Sequence, residues 1–208
     1  SPMKQLIENS LDKIHKSDVL SKLKVKKDGY MLVSAHREEN VDSPAKLSGL
    51  IDALNSVAEN YKMPLIFSTH PRTKDRISKS KLKLHKNISS MEPFGFYDYN
   101  KLQLDSFCVL SDSGTLAEES SILGFYGISL RTSTERQEAI NSGSFIIGGV
   151  NEQGIVQSIE MSKQMKESNE PIAAPLDYLE ENVSLKIVKI IQSYTAIVNN
   201  KVWAKNNE

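Results

Sequence analysis

The chain has 208 residues, which suffices for one well-packed α/β domain but leaves little room for a complete two-domain enzyme. It carries 26 Lys and Arg residues and 26 Asp and Glu residues, so its formal net charge at pH 7 is zero. A protein without net positive charge does not attract polyanions such as nucleic acid nonspecifically. Nucleic acid is therefore not an expected partner, although a local basic pocket for a phosphate stays open.

The single cysteine, Cys108, lies in the apolar run 107–110, so there is neither a disulfide framework nor a metal-type cysteine spacing. We therefore expect no bound metal and a reducing, cytoplasmic setting. No apolar stretch approaches the roughly eighteen residues that span a bilayer. The first residues, 1–4, lack a cationic segment followed by an apolar core. These features predict no membrane partner, in a chain that is either untargeted or has lost its beginning.

Short apolar runs alternate with stretches in which apolar residues have helical spacing. This alternation is typical of βα units around a parallel sheet. The runs predict roughly six strands, at residues 30–34, 65–68, 87–89, 107–111, 128–130 and 144–147. Ser43 and Pro44 begin a helix with an apolar stripe to Val57. Further helices are predicted at residues 97–104, 115–123, 136–141, 153–165 and 183–198. The predicted fold class is α/β, with a Rossmann-like three-layer parallel sheet.

Composition divides the chain into three segments, residues 1–25, 26–165 and 166–208. The first segment predicts an amphipathic leading helix, on the spacing of Leu6, Ile7, Leu11 and Ile14. The last segment combines a polar linker, residues 166–175, with an unusually apolar helix. Both ends of the chain are therefore expected to pack on a partner surface.

The strongest chemical signal is the segment 111–119, where a strand ends and a helix begins at once. Three small residues open that helix: Ser113, Gly114 and Thr115. Free backbone N–H groups at a helix N-terminus suit a phosphate, and ligands bind at such strand ends in open α/β sheets. An ordinary helix cap by Asp112 or Ser113 explains the segment equally well. Glu118 and Glu119 either stabilise the helix dipole or offer a carboxylate to ribose hydroxyls.

Polar clusters follow other predicted strands. They are residues 34–40 with His36 and Arg37, residues 70–72 with His70, and residues 131–138 with Arg136. Because strand-end loops of a parallel sheet converge on one crevice, His36 would face the same space as Ser113, and an arginine there can bind phosphate oxygens. Solvated loops, a surface arginine and a structural His70 are the ordinary alternatives. Phe94 and Tyr99 could stack on a base, although core packing is the commoner reason for such aromatics.

Together these segments resemble the C-terminal half of the non-hydrolysing UDP-N-acetylglucosamine 2-epimerases, whose glycosyltransferase-B-like fold has two Rossmann-type domains. The matching motifs, in the family's order and spacing, are residues 34–40, His70-Pro71, residues 111–114 with Glu118-Glu119, and Thr134-Glu135-Arg136 with Glu138. The resemblance covers nearly the whole chain. It includes Ser1-Pro2-Met3, which is similar to the family's interdomain hinge.

The resemblance implies a role for each matching residue. It gives His36 the catalytic position near the sugar and the diphosphate. It implies that UDP-sugar contacts come from Phe94 and Tyr99 at the base, Ser113, Gly114 and Thr115 at the phosphates, Glu119 at the ribose and Arg136 at the diphosphate. In regulated bacterial members, the positions of Arg37 and His70 contact a second, allosteric UDP-sugar.

The chemistry that the resemblance implies uses no cofactor and no metal. A base removes the proton at C2 of the sugar while UDP leaves C1, and UDP adds back to the resulting glycal after reprotonation on the other face. The acidic residues that handle this proton belong to the family's N-terminal domain, which is absent here. The expected partners are UDP and a UDP-sugar, the missing N-terminal domain, and a second subunit in a full-length homodimer. The isolated domain is expected to bind UDP weakly without turnover.

Departures from the family pattern are Gln137 in place of a proline, Thr115 in place of a second glycine, and Phe94 at an often polar position. With residues 190–194, they resemble the branch that acts on UDP-linked 6-deoxy-L-sugars and yields UDP-N-acetyl-L-fucosamine for capsule or O-antigen. Two other hypotheses stay open, a glycosyltransferase-B half that transfers a sugar from UDP and a non-catalytic UDP-sugar-binding module. The clusters around His36 and Arg136 favour the epimerase over the transferase.

Overall fold

The computed structural model describes residues 1–204, so residues 205–208 of the predicted C-terminal segment lie outside the described residues. The strands form one six-stranded sheet. They are β1 (Met31–Ser34), β2 (Leu65–Ser68), β3 (Ile88–Met91), β4 (Val109–Ser111), β5 (Gly127–Ser129) and β6 (Phe145–Ile147). The helices are α1 (Met3–Glu8), α2 (Leu11–His15), α3 (Val19–Leu23), α4 (Glu38–Val41), α5 (Pro44–Tyr61), α6 (Pro71–Lys79), α7 (Phe96–Leu104), α8 (Leu116–Leu123), α9 (Gln137–Asn141), α10 (Glu152–Glu167), α11 (Leu176–Leu179) and α12 (Val183–Lys201).

All neighbouring strands run parallel, in the order β3-β2-β1-β4-β5-β6. The chain moves outward from β1 to β3, returns to the other side of β1 and continues to β6. The strand order therefore reverses between β1 and β4, where Ser34 lies in register with Ser68 and Ser111. Loops on opposite sides of such a reversal diverge and open a crevice, which is where ligands bind in open α/β sheets.

Helices cover both faces of the sheet, and alternate side chains of each strand enter different cores. Val33 of β1 belongs to one core, together with Leu54 of α5 and Ile155 of α10. Leu32 belongs to the other core, which contains Leu102 of α7. The predicted three-layer α/β arrangement is therefore confirmed.

Sequence patterns located the strands to within a few residues, because each is a short apolar run. The start of α5 is also as predicted, since the Ser43 hydroxyl accepts a hydrogen bond from the backbone N–H of Lys46 and Pro44 opens the helix. Four short helices were not predicted: α3, α4, α6 and α11. In α6 only Thr73 and Ile77 are buried, which is too sparse an apolar stripe to recognise.

The predicted leading helix is wrong as a single element. Helix α1 ends at Glu8, and α2 begins after Ser10, which occupies its N-cap position. Ile7 and Ile14 are buried, whereas Leu6 is 50% exposed. Each of the two short helices therefore buries one isoleucine, Ile7 in α1 and Ile14 in α2.

The C-terminal region divides into a packed helix and an exposed one. Tyr178 of α11 is buried, and its hydroxyl donates to Glu138 Oε1 at 2.6 Å. Lys4 of α1 donates to the backbone oxygen of Leu179 at 3.1 Å. Helix α12 has no buried residue and exposes most of its apolar side chains. Among residues 1–204, no helix combines the length and the apolar character needed to cross a membrane.

Burial in the core predicts a clear difference between two leucines. Leu54 is fully buried, whereas Leu185 of α12 is 53% exposed. We expect Leu54→Ala to lower the free energy of unfolding by about 2–5 kcal/mol, because it leaves a cavity in a packed core. The control Leu185→Ala should change it by less than about 0.5 kcal/mol. Urea unfolding followed by circular dichroism measures both, and equal losses would contradict the exposure of α12.

Candidate functional site

The candidate site lies at the reversal of strand order, where the loops after β1, β2 and β4 meet. A cavity of about 240 Å³ opens there. Its lining consists of Ser34, His36, Ser68, His70, Pro93, Tyr99 and Ser113. A wider pocket of about 670 Å³ adjoins it and is lined by His36, Arg37, Glu38, Glu39, His70 and Arg72. His36 and His70 line both cavities, so the structure brings these two predicted site residues together with Ser113 and Tyr99.

A buried carboxylate fixes the loop that carries His36. Asp112, at the end of β4, is fully buried and accepts hydrogen bonds from the backbone N–H of His36 at 3.0 Å and of Arg37 at 2.9 Å. The Asn40 amide donates to the same carboxylate at 3.0 Å and to the Leu130 backbone oxygen at 2.9 Å. The hydrogen bonds of the Asp112 side chain therefore hold the segment that follows β1.

The interpretation of Asp112 as a helix cap is wrong, whereas Ser113 Oγ accepts a hydrogen bond from the backbone N–H of Thr115 at 3.4 Å, in the turn that leads into α8. Thr115 occupies the N-cap position of α8 and makes no side-chain capping bond. Asp112 lies too early for that task and instead accepts from two backbone N–H groups of the loop after β1 and from the Asn40 amide of α4. The imidazole of His36 also reaches Asp112, with Nδ1 at 3.4 Å from Oδ1, while its side chain stays 46% exposed.

The turn between β4 and α8 combines hydroxyl groups with an open backbone. Ser113 Oγ lies 2.9 Å from Thr115 Oγ1, and Ser111 Oγ accepts from the backbone N–H of Ser113 at 3.1 Å. A Cβ added at Gly114 would lie 3.3 Å from Arg37 Nη2. The guanidinium of Arg37 therefore lies beside this turn, which gives the turn a positive neighbour as well as polar groups.

A second buried carboxylate lies behind the turn. Glu119 of α8 is 8% exposed and accepts a hydrogen bond from Gln103 Nε2 at 2.6 Å. Burial raises the pKa of Glu119, while hydrogen bonds from Gln103 and Thr115 oppose that rise. Burial also raises the pKa of Tyr99, whose hydroxyl contacts Ser34 and Ser111 at the strand ends. Tyr99 lines the cavity of about 240 Å³, whereas Glu119 is buried behind the turn and lines neither cavity.

Comparison with known proteins identifies the family. Residues 1–192 match the family model described as UDP-N-acetylglucosamine 2-epimerase. A UDP-N-acetylglucosamine 2-epimerase of Methanocaldococcus jannaschii is 36% identical over 143 residues, which are 67% of this chain and 39% of the relative. The chain belongs to the UDP-N-acetylglucosamine 2-epimerase family.

Solved structures of this epimerase family share the fold. The structure of UDP-N-acetylglucosamine 2-epimerase from Rickettsia bellii is 34% identical with a TM-score of 0.83, over 99% of this chain and 55% of that one. The Methanocaldococcus jannaschii epimerase in complex with UDP-GlcNAc and UDP is 32% identical with a TM-score of 0.70, over 76% of this chain and 45% of that one. The predicted glycosyltransferase-B-like relationship is confirmed, and the chain spans about half the length of these proteins.

Arginines of the epimerase motifs are held by carboxylates. Arg136 lies 3.1 Å from Glu118 and 3.8 Å from Glu138, and its Nε is buried with no hydrogen-bond partner among the described residues. Arg131, which is largely buried, lies 2.9 Å from Glu135. The second oxygen of Glu135 is 3.7 Å from Arg37. An anion that binds to these arginines would therefore have to replace a carboxylate partner that each arginine already has.

Not every epimerase-family site residue lines the cavities. Five predicted site residues lie outside both linings, and they are Phe94, Gly114, Thr115, Glu119 and Arg136. Phe94 packs with Tyr99 against the core. Sequence patterns missed the role of Asp112 and the contact of Gln103 with Glu119, since neither follows from local spacing. The sequence does show serine at the ends of three predicted strands, Ser34, Ser68 and Ser111. That pattern indicates where the crevice lies, but it does not indicate the contacts of Asp112 or Gln103. Within residues 1–204, no group of His, Cys, Asp and Glu is arranged to hold a metal ion.

The buried carboxylate of Asp112 predicts a large effect of its removal. Asp112→Ala leaves the N–H groups of the His36 loop without an acceptor, so we expect the free energy of unfolding to fall by about 3 kcal/mol. The control Asp52→Ala, on the exposed side of α5, should change it by less than about 0.5 kcal/mol. Denaturant titration of both variants tests this. If Asp112→Ala unfolded at the wild-type midpoint, Asp112 would not anchor the loop.

Proposed function

We propose that this chain forms the UDP-binding half of a UDP-sugar 2-epimerase. The observation that carries the proposal is the turn Ser113-Gly114-Thr115 at the reversal of strand order, which faces His36 and Arg37 across the crevice. Helix N-termini at such positions bind phosphate groups. Membership of the epimerase family supports a nucleotide-sugar as the ligand.

The proposed reaction is an elimination followed by an addition. The C2–H bond breaks and its electrons form a C1=C2 double bond, while the C1–O bond breaks and its electron pair leaves with UDP. UDP oxygen then adds back to C1, and a proton is delivered to the opposite face of C2. Backbone N–H groups of the turn, its hydroxyls and a guanidinium stabilise the charge on the leaving diphosphate. His36 is proposed to act near the diphosphate and the sugar, with its imidazole oriented by Asp112, whose Oδ1 lies 3.4 Å from Nδ1.

Nucleotide recognition is proposed to involve residues on both sides of the turn. Glu119 binds the ribose hydroxyls, and Tyr99 and Phe94 provide the aromatic surface beside the uracil. Arg136 binds the diphosphate after exchanging its contact with Glu118 for phosphate oxygens. Its Nε is buried and has no hydrogen-bond partner among the described residues, so the contact with Glu118 leaves one donor of the guanidinium unsatisfied.

The adjoining pocket of about 670 Å³ is proposed as a regulatory site for a second UDP-sugar. Arg37 and His70 line it, as the resemblance to regulated bacterial members implies. His36 belongs to the linings of both cavities. A ligand in the wider pocket would therefore contact the same loop that serves the catalytic cavity.

The complete enzyme is proposed to contain more than this chain supplies. The chain spans about half the length of its relatives, and we place the carboxylates that transfer the C2 proton in the rest of the full-length protein. We further propose a cytoplasmic homodimer that acts on a UDP-linked 6-deoxy-L-sugar for capsule or surface polysaccharide. Thr115, Gln137 and Phe94, which depart from the family pattern, support that substrate class.

Calorimetry with UDP tests the proposed site. We expect weak binding to the chain, and a larger loss with Arg136→Ala than with His70→Ala, because Arg136 is proposed to pair with the diphosphate through a permanently charged guanidinium, whereas His70 lines both cavities without a proposed contact to the phosphates. Loss of one charged contact corresponds to roughly a tenfold rise in Kd. Both variants shorten a side chain that is exposed or half-buried, so neither should unfold the domain. A difference between their Kd values therefore reflects binding and not folding. Equal effects would contradict the ranking, and no heat with the unaltered chain would contradict the UDP site.

Deuterium incorporation tests the reaction in the full-length enzyme that contains this chain. Incubated with a UDP-sugar substrate in deuterated water, an epimerase of the proposed mechanism places deuterium at C2 of the sugar, because the abstracted proton exchanges with solvent. Mass spectrometry and NMR locate the label. Transfer of a radiolabelled sugar to an acceptor without exchange at C2 would instead indicate a glycosyltransferase. Binding without exchange or transfer would indicate a UDP-sugar-binding module.

A further inference from the structure

Gln103 of α7 is a buried amide whose partner is a buried acid. Its residue exposure is 1%, and its Nε2 donates to Glu119 Oε2 at 2.6 Å. Its Oε1 is also buried and has no hydrogen-bond partner within residues 1–204. The amide therefore interacts with the protein through its donor group, which is directed at a single carboxylate oxygen.

Packing does not explain an amide at this position. Gln103 follows Leu102, which is fully buried in the core beside α7, and an unbranched apolar side chain would fill the same volume. A buried amide oxygen without a partner costs about 1–3 kcal/mol. Gln103 thus carries an energetic cost that an apolar residue would avoid. What the amide provides is a donor to Glu119 in a place that water scarcely reaches.

Glu119 is also close to the turn that precedes its helix. Its backbone N–H donates to the Thr115 backbone oxygen at 2.9 Å, and Thr115 lowers the pKa of its carboxyl group. Thr115 Oγ1 in turn lies 2.9 Å from Ser113 Oγ. Gln103 therefore holds a carboxylate that lies one helical turn from the proposed phosphate site.

We propose that Gln103 is a positioning residue, which holds Glu119 Oε2 so that the carboxylate is oriented for the ribose hydroxyls of the nucleotide. This inference rests on the proposed UDP site and extends it. Gln103 does not touch the ligand, and it determines ribose recognition by fixing the acceptor. Because its donor group favours the ionised acid, Gln103 also opposes the rise that burial causes in the pKa of Glu119.

The test compares UDP with 2′,3′-dideoxy-UDP, which lacks both ribose hydroxyls. Calorimetric Kd values are measured for the unaltered chain, Gln103→Met and Glu119→Gln, with Gln153→Met on the exposed side of α10 as the matched control. We expect Gln103→Met to raise the Kd for UDP by about tenfold and the Kd for the dideoxy ligand by less than about twofold. Gln153→Met should change neither. Gln103→Leu replaces Gln103→Met if the methionine variant does not fold.

The pH dependence provides a readout that a purely structural role would not change. Glu119 must be ionised to accept two hydroxyl groups, so UDP affinity falls as pH falls through its pKa. Removing the Gln103 donor raises that pKa, and we expect the loss of affinity in Gln103→Met to begin at a higher pH than in the unaltered chain. An unchanged profile would overturn the positioning role.

The two proposals fail in different ways. If Glu119→Gln lowers the preference for UDP over the dideoxy ligand and Gln103→Met does not, the inference about Gln103 is wrong while the ribose site stands. If Gln103→Met weakens both ligands equally, Gln103 only supports the fold. If Glu119→Gln leaves the preference unchanged, or the unaltered chain binds no UDP, the proposed site itself is wrong and Gln103 loses its role with it.

Discussion

The arrangement of the candidate site depends on the hydrogen bonds that the Asp112 carboxylate accepts across the reversal of strand order. Asp112 directly follows β4, and its donors belong to the loop after β1 and to α4. One side chain therefore connects the segments after β1 and β4 that form the walls of the crevice. Asn40 extends the same link to the end of β5 through the backbone oxygen of Leu130. A crevice between diverging loops would otherwise be free to widen. The position of His36 follows from this tie, since its backbone and its imidazole both contact Asp112.

Charge at the site is balanced locally, as it is over the whole chain. Glu135 lies between Arg37 and Arg131, and Glu118 neutralises Arg136. An anionic ligand therefore meets arginines that already have partners, and net charge cannot be the source of affinity. Directed donors at the Ser113 turn, in a partly enclosed crevice, are better suited to that task. The arrangement of hydrogen-bond donors, and not net charge, would therefore determine which anion binds, as the proposed nucleotide-sugar ligand requires.

The two parts of the C-terminal region serve different purposes in the fold. Helix α11 is fixed to the domain, because Tyr178 bonds to Glu138 beside Arg136, while Lys4 joins it to α1. Helix α12 pairs Lys186 with Glu180 at the end of α11, has no buried residue and leaves an apolar face in solvent. Tyr178 thereby links the last packed helix to the Thr134-Glu135-Arg136 motif. A movement of α11 would therefore change the position of Glu138, which lies beside the proposed diphosphate arginine, Arg136.

The sequence by itself determined the βα rhythm, the positions of the strands and the family motifs, because these depend on periodicity and spacing along the chain. The start of α5 at Ser43 and Pro44 was equally local. Tertiary structure alone decided that Asp112 anchors the His36 loop, that Arg37 lies beside Gly114 and that Gln103 meets Glu119. Each of these contacts joins residues far apart in sequence, and which of several possible partners a polar group takes is settled only when the sheet order brings them within hydrogen-bond distance.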